Sequence, residues 1–465
     1  MKRILALILA LIMSLSLVAC GGGSDKSDGA DTDAAGEEEN LDASKVTTES
    51  GRPAITMWFW GAATDYQVAM KDILCNWYNN SQDQYELVIE FRNTVDVDIP
   101  RALAAGTAPD IIYASGPSYI GTYKDEDLVL NLDSYAEQYG WKDNILGVVY
   151  DSLTLDGSLY SVPGGMSVGG LFYNKELFNE KGWTAPTTLA EMESLMETAK
   201  ADGLYPLGAG NKGWKPCNNH FGSMIINHLG TPSLFYNALA GNTSFNTPEM
   251  VAAVEKSAEW FQNGYLAGDD YVNLDSQEVM QVLHDKRAAM VMAPTLYIQF
   301  AAQSFQGDEQ DNVAFIPMPS SWTDEAVYDV SLNCNFAINA KTDKADECAK
   351  ILNYMLTGEF AGKMTEAWPG YWAVPVKDIL TYDTSSMTGL SKVTLEAIQG
   401  AVGQIDKGYF AYHPDTFFPS ATATAFQDID TVWQGVLSAD QFCETVAGEL
   451  NNELDAVVPL TKPAG

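Results

Sequence analysis

The sequence predicts an α/β protein built as two lobes. Three observations lead there. Strands and amphipathic helices alternate from residue 55 on, the order of a parallel sheet with crossover helices. The same alternation returns after residue 288. And the chain beyond residue 50, about 415 residues, exceeds what one compact core holds. The 11 Trp, 22 Tyr and 18 Phe supply ample core material for both lobes.

Residues 55–59 (ITMWF) read as the opening strand. A helix begins at Thr64, with Gln67 at capping-box spacing, and Tyr66, Met70, Ile73, Leu74 and Trp77 share one face. Residues 86–91 form the second strand, 99–105 a short helix stopped by Gly106, and 110–114 the third strand. A capping box at Thr188 and Glu191 opens a helix with Leu189, Met192, Leu195, Met196 and Ala199 inward. Thr247-Pro248 opens another, ended by Gly264. Residues 288–293 and 313–317 are strands. Asp343 begins a helix, and residues 420–454 are largely helical.

The chain starts with Lys2 and Arg3 and an apolar run, residues 4–19, too short for a comfortable bilayer span. The run ends in Leu17-Val18-Ala19-Cys20, which resembles a bacterial lipobox. That resemblance implies removal of residues 1–19 and acylation of Cys20, with anchoring by more than one acyl chain. Residues 20–50 carry many acids and almost no large apolar side chain, the composition of a disordered spacer between lipid and domain. No later window reaches about 18 uninterrupted apolar residues, so membrane contact is expected through the lipid alone.

A formal charge of −36 with no basic cluster argues against nucleic acid and anionic membrane as partners. With Cys20 acylated, Cys75, Cys217, Cys334, Cys348 and Cys443 remain, an odd number with no C-x-x-C spacing. No metal site and no cofactor is expected, and no disulfide is assigned.

Gly165-Met166-Ser167-Val168-Gly169 matches G-x-S-x-G, the nucleophile elbow of serine hydrolases. An elbow needs a helix directly after the serine. Here residues 170–174 read as a further extended segment, and helix signals begin only at 175–178. The candidate bases, His220, His228, His284 and His413, lie in no catalytic motif. The stretch reads as a glycine-rich extended crossover, and no catalytic residue is expected.

Tyr160-Ser-Val-Pro163, followed by Gly170-Leu-Phe-Tyr-Asn-Lys-Glu-Leu-Phe178, resembles a signature of the extracellular solute-binding proteins of family 1. These are the carbohydrate-binding lipoproteins of ABC importers, similar to maltose-binding protein. Residues 104–113 (AAGTAPDIIY), 128–133, 288–292 and 336–339 resemble further family segments in the family's order. The resemblance covers roughly residues 55–454. It implies a two-lobe, type II periplasmic-binding-protein-like fold whose hinge the chain crosses three times, near 165–170, 329–331 and 370–373. The first lobe is then 51–167 with 331–372, the second 168–330 with 373–465. The lobes are expected to close on a ligand by hinge motion.

A sugar ring has an apolar C–H face and a rim of hydroxyls, so it calls for aromatic platforms and fixed polar groups. In open α/β sheets ligands sit beyond the carboxyl ends of strands. That selects Trp60 and Asp65 after the first strand, Asn93 after the second, and Ser115 and Gly116 after the third. The polar loop 210–220, read as lying between helices, offers Trp214. The third crossing offers Trp368 and Tyr371, with Trp372 packing inward. The family usually has a tryptophan after the strand at 288–292. Here Ala293-Pro294-Thr295 stands there, and Thr295, with Tyr297, is the candidate to replace it.

The expected protein is a monomeric receptor for a sugar or oligosaccharide. It delivers to an ABC importer permease from the outer face of a cell membrane, in a setting that suits a Gram-positive cell. Two rivals stay open. One is the same fold holding a peptide, polyamine or sugar phosphate, although only Arg92 and Arg101 offer themselves to an anion. The other is a secreted hydrolase acting through Ser167 or a carboxylate pair.

Overall fold

The computed structural model describes residues 41–266 and 271–465. The expected signal, Cys20 and the spacer to residue 40 lie outside the described residues. Residues 41–50, expected as spacer, are packed on the domain instead. Ala43 is buried in a 3-10 turn capped by Asp42. Its N–H donates to Thr107 O (2.9 Å), and Thr107 Oγ1 donates to Leu41 O (2.7 Å). Ser50 N donates to Glu86 Oε2 (3.1 Å). Small polar residues on a domain edge find backbone partners that composition does not reveal.

The strands in chain order are β1 (Ala54–Trp60), β2 (Glu86–Arg92), β3 (Ile111–Ala114), β4 (Thr154–Leu155), β5 (Ser158–Leu159), β6 (Val162–Pro163) and β7 (Met166–Asn174). They continue as β8 (Tyr205–Gly208), β9 (Ala288–Pro294), β10 (Val313–Ile316), β11 (Tyr328–Leu332), β12 (Asn335–Ile338) and β13 (Phe410–Tyr412). One sheet has the order β2-β1-β3-β12-β6. The other has the order β13-β11-β7-β9-β8, with β10 also on β7. In the first, β1, β2 and β3 are parallel. In the second, β8 parallels β9, β11 parallels β13, and β7 runs against β9 and β11. Helices cover both faces of such sheets, so β1 (AITMWFW) and β9 (AAMVMAP) are nearly unbroken apolar runs, buried along their length. Each sheet is the centre of one α/β lobe.

The chain leaves the first sheet at residues 164–165, between β6 and β7. It returns at 333–334, between β11 and β12. Met166, Ser167, Ser331 and Leu332 therefore pair in the second sheet, where β11 is registered against both β7 and β13. The third passage comes later than residue 373. Val376 bridges Ile145, Leu146 N donates to Pro375 O (3.0 Å), and Asp378 N donates to Asn144 Oδ1 (3.1 Å). All three contacts hold the segment to the first lobe. The helix Gly389–Ile405 then packs on β7 and β10 and also on the helix Gly358–Ala367.

Two glycines of the crossover are explained by what touches them. A Cβ on Gly165 would stand 1.9 Å from Tyr371 O, and one on Gly170 would stand 2.4 Å from the Phe315 ring. Neither has the left-handed backbone that glycine permits; close approach alone demands them. The helix at Thr64 starts without the expected box. Ala63 occupies the cap position with no side-chain bond, and Gln67 Nε2 donates to Ala62 O (2.7 Å). The Thr188–Glu191 box and the Thr247 cap are present.

Candidate functional site: the cleft between the lobes

The topology aims the carboxyl ends of both sets of parallel strands at one junction. β6 and β11 end there, and β7 and β12 start there. The first two passages and Tyr371 are tied by one residue. Asn333 accepts from Ser167 Oγ (2.8 Å) and donates through Nδ2 to Tyr371 O (2.7 Å), while its own N–H donates to Gly165 O (2.8 Å). The Ser167 hydroxyl is thus engaged in the hinge, inside the nine-residue strand β7, with a helix only from Lys175 on.

The wall on the first lobe is aromatic. Trp368 is wholly buried, stacked on Tyr66 and on Tyr371 with ring centroids 4.6 Å away in each case. Trp60 packs against both Trp368 and Tyr371 at 5.5 Å. Three residues expected from distant parts of the sequence therefore meet. Trp368 and Tyr371 do not present open faces, however. They are interior, and burial raises the Tyr371 hydroxyl well above the usual phenol range. The half-buried Trp60 forms the edge of the cluster. Around it stand exposed Asp65, in the first turn of its helix, and exposed Asn93, which packs on Gly61. Ser115 Oγ donates to Asp96 Oδ1 (2.6 Å), which joins the loop after β3 to the first turn of the helix Val95–Ala105. Gly116 is buried where the helix Pro117–Asp125 begins.

The second lobe supplies a polar wall. The stretch 210–220 is only in part a loop. Pro216 takes the first position of the helix Pro216–Leu229, so His220 lies in that helix. Proline's preference for that position was the available signal. Trp214, 45% exposed, meets His220 edge-to-face at 5.3 Å. Thr295 is fully buried, and its Oγ1 accepts from Val168 N (3.2 Å). It braces β7. Tyr297 is likewise buried, its hydroxyl accepting from Ser276 Oγ (3.1 Å).

The two walls touch. Trp368 Nε1 donates to Gln299 Oε1 (3.4 Å), and a Cβ on Gly370 would meet Thr295 O and Gln299 N within 2.9 Å. The helix Pro117–Asp125 packs against Pro414–Phe417. Several buried polar atoms in these walls have no protein partner among the described residues: Trp60 Nε1, both polar atoms of the Asn219 amide, and His220 Nε2. Gln299 and Asn333 escaped the sequence reading, while Tyr66 was read only as core, His220 only as a candidate base and Asn219 only as part of a polar loop. Tyr66 carried only a core-facing helical period, and isolated polar residues carried no pattern.

Two sheet-centred lobes, two passages tied through Asn333 and an aromatic wall against a polar one define a two-lobe solute-binding fold. The model of the bacterial extracellular solute-binding protein family matches residues 77–388, and the chain belongs to that family. The diacetylchitobiose binding protein NgcE of Streptomyces coelicolor is 28% identical over 193 residues, 40% of each chain. The multiple sugar-binding protein of Streptococcus mutans is 24% identical over 207 residues, 43% of this chain and 47% of that one. The matched part spans less than half the length of these relatives. Among solved structures, a chitin oligosaccharide binding protein superposes with a TM-score of 0.71 at 16% identity, covering 87% of this chain and 99% of that one. MalE, the sugar-binding protein of Xanthomonas citri, gives 0.68 at 15% identity, covering 86% and 97%. At those identities the likeness is one of fold.

Proposed function

We propose that this protein captures a sugar or oligosaccharide between its lobes and hands it to an ABC importer permease, without chemistry. The observation that carries the reading is the pairing of the two walls. An aromatic cluster edged by Trp60 lies at the carboxyl ends of the first lobe's strands. The second lobe buries polar atoms with no protein partner among the described residues, in Asn219 and His220. Aromatic faces match the C–H face of a pyranose, and ligand hydroxyls match unpaired donors and acceptors. Asp65, Asn93, Ser115 and Trp214 form the rim that selects the sugar. The walls already touch, so entry needs the hinge at Gly165, Asn333 and residues 383–388 to open. We take the lobes as 41–164 with 334–382, and 166–332 with 389–465. Acylation of Cys20, monomeric state and attachment to a Gram-positive surface complete the reading and rest on the lipobox resemblance.

An anionic ligand is disfavoured. Arg92 is buried, lies over the Trp58 ring and is paired with Glu90 and Asp98. The test is thermal unfolding of residues 41–465 against a panel of mono- and oligosaccharides. Ligand at about 100 times its Kd adds about 2.7 kcal/mol, which raises the midpoint by several degrees. A shift confined to one sugar class supports the reading. No shift with any sugar, but one with peptides or polyamines, replaces it.

A further inference from the structure

His220 and His413 are 193 residues apart in sequence and face each other with Nδ1 and Nε2 2.9 Å apart. His220 stands in the helix Pro216–Leu229. His413 caps the short helix after β13, its Nδ1 accepting from Asp415 N (3.3 Å). That bond fixes the tautomer. The proton of neutral His413 is on Nε2 and is donated to His220 Nδ1, which leaves the His220 proton on Nε2, the buried atom with no protein partner. Asp415 extends the pair, with its Oδ2 3.8 Å from His413 Nδ1. Both imidazoles are almost fully buried, while Asp415 reaches solvent and gives the pair a way out. One ligand atom from each residue lies within 4.8 Å of the others.

We propose that His220, His413 and Asp415 form a binding site for a late first-row divalent cation of the zinc type at the second lobe's edge of the cleft. Two imidazoles and one carboxylate are a donor set such ions favour, whereas calcium and magnesium want oxygen alone. The spacing is close to what a metal needs. At metal–nitrogen distances of about 2.05 Å, nitrogens as close as these subtend about 90°, and parting by about 0.4 Å makes the angle tetrahedral. The cation takes the place of the proton between the rings. His413 then carries its proton on Nδ1 and gives up the bond from Asp415 N, and the Asp415 carboxylate turns from the Nδ1 side toward the ion. His220 needs no change, since its Nδ1 already has a free electron pair for the ion. Three protein ligands leave a coordination position for water or a ligand oxygen. The site stands on these side chains alone and does not depend on the solute being a sugar.

The test is calorimetric titration of the chelator-treated protein with zinc at pH 7.5, in excess calcium to mask the acidic surface. Cobalt(II) absorption provides a second readout. The expected result is one saturable site that calcium does not fill, with visible cobalt bands of four- or five-coordination. Asp415→Asn and His413→Asn, the latter keeping a capping acceptor, should each weaken zinc by about tenfold or more. Absence of a saturable site in the unaltered protein overturns the proposal. So does zinc affinity unchanged in both variants. Should a variant fail to fold, the cobalt spectrum of the unaltered protein decides: only weak, octahedral bands would also overturn it.

Discussion

Tyr66 lies flat on Trp368, with ring centroids 4.6 Å apart and planes 5° from parallel. This stack fastens the first helix of the first lobe to the segment after Gly358–Ala367 and builds the cleft's aromatic wall. Trp368 also reaches Gln299 on the other lobe. Trp368→Ala removes a fully buried indole and should cost about 3–5 kcal/mol, read from urea unfolding. It should also abolish ligand binding at temperatures where the variant is still folded. A loss under 1 kcal/mol would mean that Trp368 is not interior.

The side chain of Asn333 bonds Ser167 and Tyr371, and its backbone bonds Gly165. Asn333→Ala leaves the buried Ser167 hydroxyl and the Tyr371 carbonyl without that partner. A loss of about 1–3 kcal/mol follows, together with a wider distribution of lobe openings. Small-angle scattering of the ligand-free protein should show a larger mean radius for the variant. An unchanged radius and an unchanged unfolding midpoint would remove Asn333 from the hinge.

Much of the fold was legible because parallel strands buried on both faces must be apolar runs, and β1 and β9 are. The glycine-rich stretch at 163–170 announced a crossing but not its cause, since Tyr371 and Phe315, which demand Gly165 and Gly170, lie far along the chain. Of the candidate site, Trp60, Asn93 and Ser115 followed from their places after strands. Thr295 and Trp368 lie at the junction, but sequence could not say that Val168, Tyr66 and Gln299 would occupy them. The pairing of His220 with His413 left no trace in either local pattern. Residues 41–50 misled because their anchors, Thr107 and Glu86, are distant.

Ser167→Ala should remove one hydrogen bond to Asn333 and cost about 1 kcal/mol. Sugar affinity should change little, because the hydroxyl is engaged within the protein. Calorimetric titration with the sugar identified by the panel checks this. A hydrolytic activity present in the unaltered protein and lost in the variant would contradict the reading of β7 as a crossover strand.

Burial, and then the neighbouring His413, holds His220 well below the usual histidine range. Its close neighbours are His413, the Trp214 ring at 5.3 Å and the Tyr297 ring at 5.5 Å. In the unfolded chain histidine titrates near about 6.5. Below that pH the unfolded chain takes up a proton that folded His220 refuses, so stability falls as pH drops through about 6.5. Asp415 is common to the proteins compared. Between pH 7.5 and 5.5 the unaltered protein should lose more stability than His220→Gln, as measured by urea unfolding. Equal losses would contradict the placement of His220.

The central claim is that a sugar binds between the aromatic and polar walls. Tryptophan fluorescence tests it most directly, because the proposal puts Trp60 and Trp214 beside the ligand, where a stacked ring would alter their emission. Titration with the panel should give a saturable change in emission for one class of sugar. That change should be lost or greatly weakened in Trp60→Ala, and the sugar should be recovered unaltered by chromatography. A saturable change of equal affinity in Trp60→Ala would place the ligand elsewhere. No change with any sugar, or a sugar consumed during the titration, would contradict the account.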